Sequence, residues 1–381
     1  MPVAPSLKGL FHLAEQVAVG TPVSVFTDAD ILWANAAVPA LAQDVVRSEI
    51  MRPGFGAPPI TAGNKEGDVA VEMPVHGWSA ITPATDPTIV TDILLAKHGF
   101  GAIDATLYQA TLAGGTDTGP LGVTLEPGAP KLFELVTAGN HGAGWAFDAS
   151  TLSTALPEDP AAGPTAIAYG AMVAVIAEPG ETPLLPLTLQ WLGADDATAV
   201  RYSDMAVSTL TYAFDSRMQP RVSATLRHLS WIRDATGGAP PVPPASAVLP
   251  EMPIAVGENG ARLMIDGVMH CVGPFSLTIT NALAVRECHG QSQLLITNRV
   301  VTVEFTGSRD ALGDSWDIGK VLTNLQLDLN TTPGRSLTLH IPELVVTGPE
   351  SPADRNGLLN TLVQAEAVDV EGFPLASLAW S

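Results

Sequence analysis

Hydrophobic residues alternate with polar ones along much of the chain, which is the period-two pattern of a half-buried β-strand. The segments that show it are 69–73, 210–214, 222–226, 275–279 and 301–305. Two pairs of segments predict hairpins: 210–214 with 222–226 around a turn at 215–220, and 325–329 with 337–341 around 330–335. Repeated strand–turn–strand units of this kind predict a sandwich or a barrel.

One helix is predicted over residues 87–98. Asp86 is a candidate N-cap, Pro87 occupies the first helical position, and Gly99 follows the expected end. Val90, Ile93 and Leu94, extended by the aliphatic part of Lys97, would form its apolar side. Residues 351–364 are expected to form a similar helical turn near the C-terminus.

The chain has 381 residues, more than one apolar core normally serves. Residues 237–250 contain five prolines and predict an extended linker between an N-terminal domain, 1–236, and a C-terminal domain, 251–381. Prolines break up residues 113–200, six of them between 157 and 186, and the segment is either an inserted β-rich subdomain or a series of long loops. The expected fold class is all-β with minor α: two sandwich or barrel domains, each with a short packing helix.

The composition excludes several classes of protein. Hydrophobic residues make up 46% and charged residues 15%, so the chain as a whole is not disordered. The 39 acidic and 18 basic residues give a net charge of −21, which argues against tight binding to nucleic acid or anionic lipid. The sequence has no recognisable secretory signal and no membrane-spanning apolar run, and its two cysteines cannot form a disulfide framework. We therefore expect a soluble protein made in the cytoplasm.

The usual catalytic motifs are missing. The sequence has neither a Gly-x-Ser-x-Gly element nor a phosphate-binding loop ending in Gly-Lys-Ser/Thr. Gly99 and Gly101 begin like a dinucleotide-binding fingerprint, but the segment continues to Asp104 and follows a helix, so it is interpreted as a helix stop and turn. No catalytic and no cofactor-binding residues are predicted, and the protein is not expected to be an enzyme.

Two mirror-image pairs contain both cysteines: His270-Cys271 and Cys288-His289. They could be buried small side chains, could form a disulfide, or could bind zinc, although Cys-x₂-Cys and His-x₃₋₅-His spacings are absent. The acidic pairs lack the rest of a calcium loop and are read as solvated loops. A glycosylation-type triplet is interpreted as ordinary hairpin-turn residues, and a loop histidine as structural or incidental. These candidates are Asp28 with Asp30, Asp195 with Asp196, Asn330 and His141. No metal ligands are predicted.

Several segments, in this order, resemble the major tail tube proteins of long-tailed bacteriophages. They are 8–15, the Val-Gly-Thr-Pro element at 19–22, the Arg-Pro-Gly-Phe-Gly-Ala-Pro stretch at 52–58, and the strand at 67–73. The Leu94-Leu95 pair in the predicted helix, and segments 206–232, 275–279, 296–300, 336–347 and 354–359, continue the similarity. Residues 113–200 have no counterpart.

The resemblance implies two tail-tube-type domains in a structural virion protein of the tail, assembled in the host cytoplasm, with no cofactor. It implies self-association into stacked rings that form a conduit for DNA ejection. Two sheet-bearing domains per chain would make the rings homotrimeric, and residues 38–65 would be a stacking loop. Expected partners are further copies of the chain, the tape measure, terminator and distal tail proteins, and double-stranded DNA that passes without tight binding.

Other readings remain open from the sequence. The acidic charge could keep DNA from adhering to the lumen, or could serve general solubility. An all-β adhesive or head-decoration protein of the virion surface is the main alternative function. A glycan-cleaving β-sandwich with paired carboxylates ranks last, because only 6% of the residues are aromatic.

Overall fold

The computed structural model describes residues 9–27, 30–32, 34, 36–38, 45–47, 60–62, 65–75, 90–104, 109–111, 132–135, 146–148, 166–168, 172–176, 184–193, 198–215, 218–235, 261–265, 268–270, 273–288, 291–308, 316–329, 337–348, 351–355, 358–369 and 375–380. Within these ranges the chain forms 25 strands and one helix. The prediction of an all-β protein with minor α is confirmed.

The elements of the first half are β1 (Gly9–Glu15), β2 (Ile31–Leu32), β3 (Ala36–Val38), β4 (Val45–Arg47), β5 (Ile60–Ala62), β6 (Gly67–Pro74), α1 (Val90–Phe100), β7 (Gly101–Asp104), β8 (Gln109–Thr111), β9 (Leu132–Leu135), β10 (Ala146–Asp148), β11 (Ala166–Ala168), β12 (Met172–Ile176), β13 (Leu187–Gly193), β14 (Thr198–Asp215), β15 (Met218–His228) and β16 (Ser230–Ala235). Those of the second half are β17 (Ala261–Ile265), β18 (Val268–His270), β19 (Phe275–Cys288), β20 (Gln291–Ser308), β21 (Val321–Leu329), β22 (Leu337–Val346), β23 (Ser351–Arg355), β24 (Leu358–Ala367) and β25 (Ser377–Trp380).

Eight antiparallel strands from both halves form one continuous sheet, called here the long sheet. Its order is β3-β6-β15-β14-β19-β20-β24-β23. The halves meet at the β14–β19 pairing, where Thr209–Phe214 lie opposite Phe275–Thr280. One sheet therefore runs without interruption across the chain.

A second layer covers the inner face of the long sheet. In the first half it has the order β2-β1-β13-β14-β16, because the long strand β14 pairs in this layer through its beginning and in the long sheet through its end. In the second half the order is β18-β17-β21-β22-β25, extended by β12 and β7 from the first half. The apolar side chains of both layers form one core.

The segments predicted to alternate supply this core. The inner face of the long sheet is built from the expected residues of β6, β14, β15, β19 and β20, all of which are at most 4% exposed. The hairpin around 330–335 is also confirmed, since Leu325 pairs with Ile341, Leu327 with Leu339, and Leu329 with Leu337, with all six side chains buried.

Two smaller sheets lie outside the long sheet and its covering layer. Strands β8 to β11 form a four-stranded sheet of order β10-β9-β11-β8, and β4 pairs with β5 within the stretch predicted to be a stacking loop. The insertion over about 113–200 stays a prediction; its last part, from Leu187, pairs with β1 and belongs to the covering layer.

The strand pairings of the first half recur in the second half. Eight strands of the first half have counterparts in the second half, in the same chain order. The corresponding strands are β1 and β17, β2 and β18, β3 and β19, β6 and β20, β13 and β21, β14 and the pair β22 with β23, β15 and β24, and β16 and β25. Each pairing has a counterpart: β1–β2 and β17–β18, β1–β13 and β17–β21, β13–β14 and β21–β22, β14–β16 and β22–β25, β3–β6 and β19–β20, β6–β15 and β20–β24, and β14–β15 and β23–β24. Seventeen of the 25 described strands thus follow an eight-strand pattern that is used twice.

The repeat extends to individual residues. Residues 69–73 read Val-Ala-Val-Glu-Met and residues 301–305 read Val-Thr-Val-Glu-Phe. Val71 lies opposite Ala224 in the first half, and Val303 lies opposite Ala365 in the second. The neighbouring pairs are Met73 with Val222, and Phe305 with Val363. Equivalent positions therefore carry side chains of similar size on the buried face.

The helix differs from its prediction at its C-terminal end. It continues through Gly99 to Phe100, and Gly101, with a φ of 108°, is the residue that ends it. Gly99 is needed inside the helix because an added Cβ would collide with the side chain of Leu210. The predicted turn over 99–104 is wrong, since Gly101–Asp104 form β7. Asp86 and Pro87 lie outside the described residues.

The buried side of the helix also differs. Leu95, Ala96 and Phe100 are at most 1% exposed, whereas Ile93 and Leu94 are half-buried. The predicted apolar stripe is therefore rotated about the helix axis relative to the side of the helix that contacts the core. A helix packed under a sheet and against flanking strands buries more of its surface than a three-residue stripe indicates.

The helical turn expected over 351–364 is wrong. These residues form β23 and β24, with Ser351 opposite Leu362 and Arg355 opposite Leu358. The sequence between the strands is Asn356-Gly357, a combination favoured in two-residue hairpin turns. Val363 and Ala365 continue the alternation on the buried face.

Candidate assembly surface

The outer face of the long sheet is polar. One row across six adjacent strands consists of Glu72, Ser223, Thr211, Thr278, Thr302 and Glu366, which pair in that order. None of these side chains is buried. The centre of the face is thus covered by short hydroxyl side chains, with an acidic residue on each side.

A hydroxyl pair marks the junction of the two halves. The Oγ1 atoms of Thr211 on β14 and Thr278 on β19 lie 3.1 Å apart, and either can donate to the other. Thr302 Oγ1 donates to the carbonyl of Thr278 at 3.4 Å, on the next strand. These bonds connect β14, β19 and β20 on the solvent side of the sheet.

The equivalent residues Glu72 and Glu304 both lie on this face. Glu72 accepts a hydrogen bond from Arg221 Nη1 at 2.8 Å, and the side chains are 40% and 49% exposed. Glu304 accepts from Gln364 Nε2 at 3.0 Å. Exposed ion pairs contribute only about 0.2–1 kcal/mol, so the Glu72–Arg221 pair adds little to stability.

A recess at one end of the polar face has two carboxylate residues in its lining, as the active site of a glycan-cleaving enzyme would. Its lining includes Asp215, Arg221 and Glu304, with Phe214 and Phe275 at its base. The two rings are 4% and 2% exposed and belong to the core. They therefore provide no aromatic platform on which a sugar ring could stack.

The junction is supported from below by the end of α1. Asn281, which is 3% exposed, donates through Nδ2 to the carbonyls of Val207 at 2.9 Å, His98 at 3.3 Å and Gly99 at 3.4 Å. Two of these carbonyls belong to the last turn of the helix, where intrahelical donors run out. An added Cβ on Gly101 would come within 2.7 Å of the Arg299 guanidinium. The helix end, β14 and β19 are therefore fixed to one another.

A charged cluster connects the helix to β1. Lys97 Nζ lies 2.8 Å from each oxygen of Glu15, and His98 Nε2 lies 3.6 Å from Oε1. Burial raises the pKa of Glu15, but its interactions with the nearby His98 and Lys97 outweigh burial and hold that pKa below its ordinary value. Burial lowers the pKa of His98 more than Glu15 raises it. His98 is therefore neutral at pH 7, while Glu15 is ionised.

The outer face of the long sheet is polar, and its two halves are joined by lateral antiparallel pairing of β14 with β19. A family model of the phage tail tube protein matches residues 6–359. The chain belongs to the phage tail tube protein family. No match is found among curated proteins.

Membership of the tail tube family confirms the resemblance drawn from the sequence motifs. It gives this protein a structural role in the virion tail. The family implies self-assembly, with other tail proteins as further partners. Enzymatic activity is not a general property of this structural family. Within the described ranges, no helix has the length and apolar character needed to cross a membrane.

Three of the sequence-derived candidates, Asp30, His270 and Cys288, lie in the described part of the tail tube protein. Asp30 accepts hydrogen bonds from the backbone N and Oγ1 of Thr27 at 2.7 and 2.8 Å, which closes a local turn. His270 ends β18 and Cys288 ends β19. In the part of the chain that the structure describes, no three His, Cys, Asp or Glu side chains are grouped to hold a metal ion. The remaining candidates, Asp28, His141, Asp195, Asp196, Cys271, His289 and Asn330, lie outside the described residues, as does any Cys271–Cys288 pairing.

Sequence reasoning missed the residues of the polar face. Glu72 and Glu304 could have been found from the repeated Val-x-Val-Glu pattern at 69–72 and 301–304. Comparison of the two halves of the chain would have exposed that pattern, whereas a search for catalytic motifs does not.

Proposed function

We propose that this tail tube protein polymerises into stacked rings whose bore is a conduit for DNA ejection. The observation that carries the proposal is the long sheet, which has one buried face, one hydroxyl-rich face and strands from two repeats. Within the described residues, its terminal strands β3 and β23 each have a single pairing partner. Open sheet edges favour pairing with another chain, and closing a ring removes them.

Each ring contains three chains in this proposal. Three long sheets supply 24 strands, and at about 4.8 Å per strand the wall has a backbone diameter of roughly 40 Å. Six chains would supply 48 strands and roughly double that diameter. The two repeats then occupy six pseudo-equivalent positions, and we assign them to a unit at 1–236 and a unit at 251–381, joined by 237–250. Of the segment at about 113–200, the part before β12 would lie on the outside, since β12 and β13 belong to the covering layer. Residues 38–65 would contact the next ring.

The polar face lines the lumen. Glu72 and Glu304 are equivalent in the two repeats, so a three-chain ring presents six acidic side chains at one level. Their charge opposes phosphate, the short hydroxyl side chains at the centre of the face carry no charge, and Arg221 on the same face is paired with Glu72. Duplex DNA can then pass without adhering. General solubility is the competing explanation of the acidic charge.

A charge reversal separates these two explanations. Glu304→Lys places a cation on the polar face, whereas Asp369→Lys makes the same charge change at an exposed site beyond the end of β24. Assembled Glu304→Lys tubes should retain a short DNA duplex in low salt and release it as salt increases, and Asp369→Lys tubes should not. Equal retention by both variants would assign the effect to net charge alone.

Electron microscopy with native mass spectrometry tests the assembly itself. We expect hollow tubes of uniform bore and a ring mass of three chains. Discrete particles that never stack would favour the alternative, an all-β adhesive or head-decoration protein. Rings of six chains would overturn the three-chain arrangement. Binding of the tape measure, terminator and distal tail proteins would be expected at the ends of such tubes.

A further inference from the structure

The two terminal strands of the long sheet correspond to the two strands that meet in its middle. In the first repeat the order is β3-β6-β15-β14, and in the second it is β19-β20-β24-β23. Strand β14 thus corresponds to β23, and β3 corresponds to β19. Within the chain, the repeats meet where β14, the last strand of the first repeat in this order, pairs with β19, the first strand of the second repeat.

The two terminal strands of one chain, β3 and β23, cannot pair with each other. Seven strand spacings of about 4.8 Å separate β3 from β23, so they lie roughly 34 Å apart across the sheet. Both are short, three and five residues. Short edge strands limit unwanted pairing of free chains.

From these relations we infer that β23 of one chain pairs antiparallel with β3 of the next chain, reproducing the β14–β19 junction between molecules. The partner is a second copy of this chain. The inference rests on the proposed ring, which it supplements by naming the strands that close it. The contact is heterologous, so each chain offers one strand at each side and the ring closes by rotation.

The repeat also gives the register. Pairing across β3–β6 and β19–β20 places Ala36 at the position of Ser276 when residues 69–73 are aligned with 301–305. Pairing across β15–β14 and β24–β23 places Ser351 at the position of Ala213 under the same alignment. Ala213 lies opposite Ser276 within the chain. Ala36 should therefore lie opposite Ser351 of the neighbouring chain.

Disulfide trapping tests this register. In a background with Cys271→Ser and Cys288→Ser, tubes of the double variant Ala36→Cys, Ser351→Cys are oxidised and separated under denaturing, non-reducing conditions. Directly opposed residues have Cα atoms about 4.5–5.5 Å apart, within disulfide range. We expect covalently linked species up to the size of a complete ring, which reductant returns to single chains.

Two matched variants calibrate the result. Ala213→Cys with Ser276→Cys places cysteines at the equivalent pair inside one chain, and should give an intrachain disulfide without enlarging the species. Ala36→Cys with Arg355→Cys displaces the partner by four residues, about 13 Å, and should not crosslink. If the double variant does not assemble, mixed tubes of the single variants Ala36→Cys and Ser351→Cys should yield linked pairs of chains.

The outcomes separate this contact from the tube function. Tubes that crosslink no more at Ala36 and Ser351 than at Ala36 and Arg355, while the intrachain pair oxidises, refute the β23–β3 contact and leave the tube function standing. If the unsubstituted chain forms no tubes or rings, both the function and the contact are wrong.

Discussion

Asn281 offers the sharpest test of how the two halves are held together. Its carboxamide is buried between β14, β19 and the end of α1, and it donates to three carbonyls. Replacement by Ala removes these donations and leaves carbonyls of the helix end and of Val207 short of a partner. The substitution therefore tests a connection between the repeats and not merely local packing.

The expected cost follows from the geometry. The bond to Val207 at 2.9 Å is of full strength, while those to His98 and Gly99 at 3.3 and 3.4 Å are long. One net hydrogen bond contributes about 1 kcal/mol, and a buried carbonyl left without a donor costs about 1–3 kcal/mol. Relief of the Asn281 Oδ1, which has no partner in the described part of the protein, offsets some of this cost. We expect a loss of about 2 kcal/mol, or about 30-fold in the folding equilibrium.

Urea unfolding of the unassembled chain measures the effect. Asn281→Ala should lower the midpoint while leaving the denaturant dependence unchanged. Asn281→Leu keeps the volume without the hydrogen bonds and should be similarly destabilised. Thr280→Ala, at the exposed neighbouring position, is the matched control and should change the midpoint little. An Asn281→Leu chain as stable as the parent would show that the side chain fills space only and would refute the hydrogen-bonding argument.

Three further changes probe other parts of the fold. Leu327→Asp buries an unpaired carboxylate at a fully buried position and should prevent folding, measured by circular dichroism; a folded variant would contradict the strand facing. Gly101 and Gly319 both have a positive φ, but an added Cβ would clash with Arg299 at Gly101 and would meet no atom within 4 Å at Gly319. Gly101→Ala should therefore lower the melting temperature more than Gly319→Ala. Equal losses would mean that only backbone strain matters. Burial lowers the pKa of His340 to about 4, so the unfolded chain binds the proton first and stability should fall by about 3 kcal/mol as pH drops from about 6.5 to about 4. His340→Gln should remove that part of the pH dependence in urea titrations, and an unchanged slope would argue that His340 titrates normally.

Local patterns in the sequence determined much of the fold. Alternation identified the buried faces of β6, β14, β15, β19 and β20 because neighbouring residues of a strand point to opposite sides. The same rule identified the β21–β22 hairpin. The helical turn expected over residues 351–364 was wrong, because Asn356-Gly357 is a combination favoured in hairpin turns and the residues on either side of it pair as β23 and β24. The position of the helix stop also depended on tertiary contact, since Leu210 requires a glycine at position 99 and Arg299 packs against Gly101.

What the sequence by itself determined is the class of the protein: strands, buried faces, acidic charge and the tail tube resemblance. The tertiary structure decided which strands are neighbours. Backbone hydrogen bonds between strands are made by groups that every residue type except proline carries, so a strand's partner is not written in its own sequence. The β14–β19 junction joins residues that are 61–71 positions apart. This pairing places the two halves in one sheet, so that Glu72 and Glu304 lie on the same polar face.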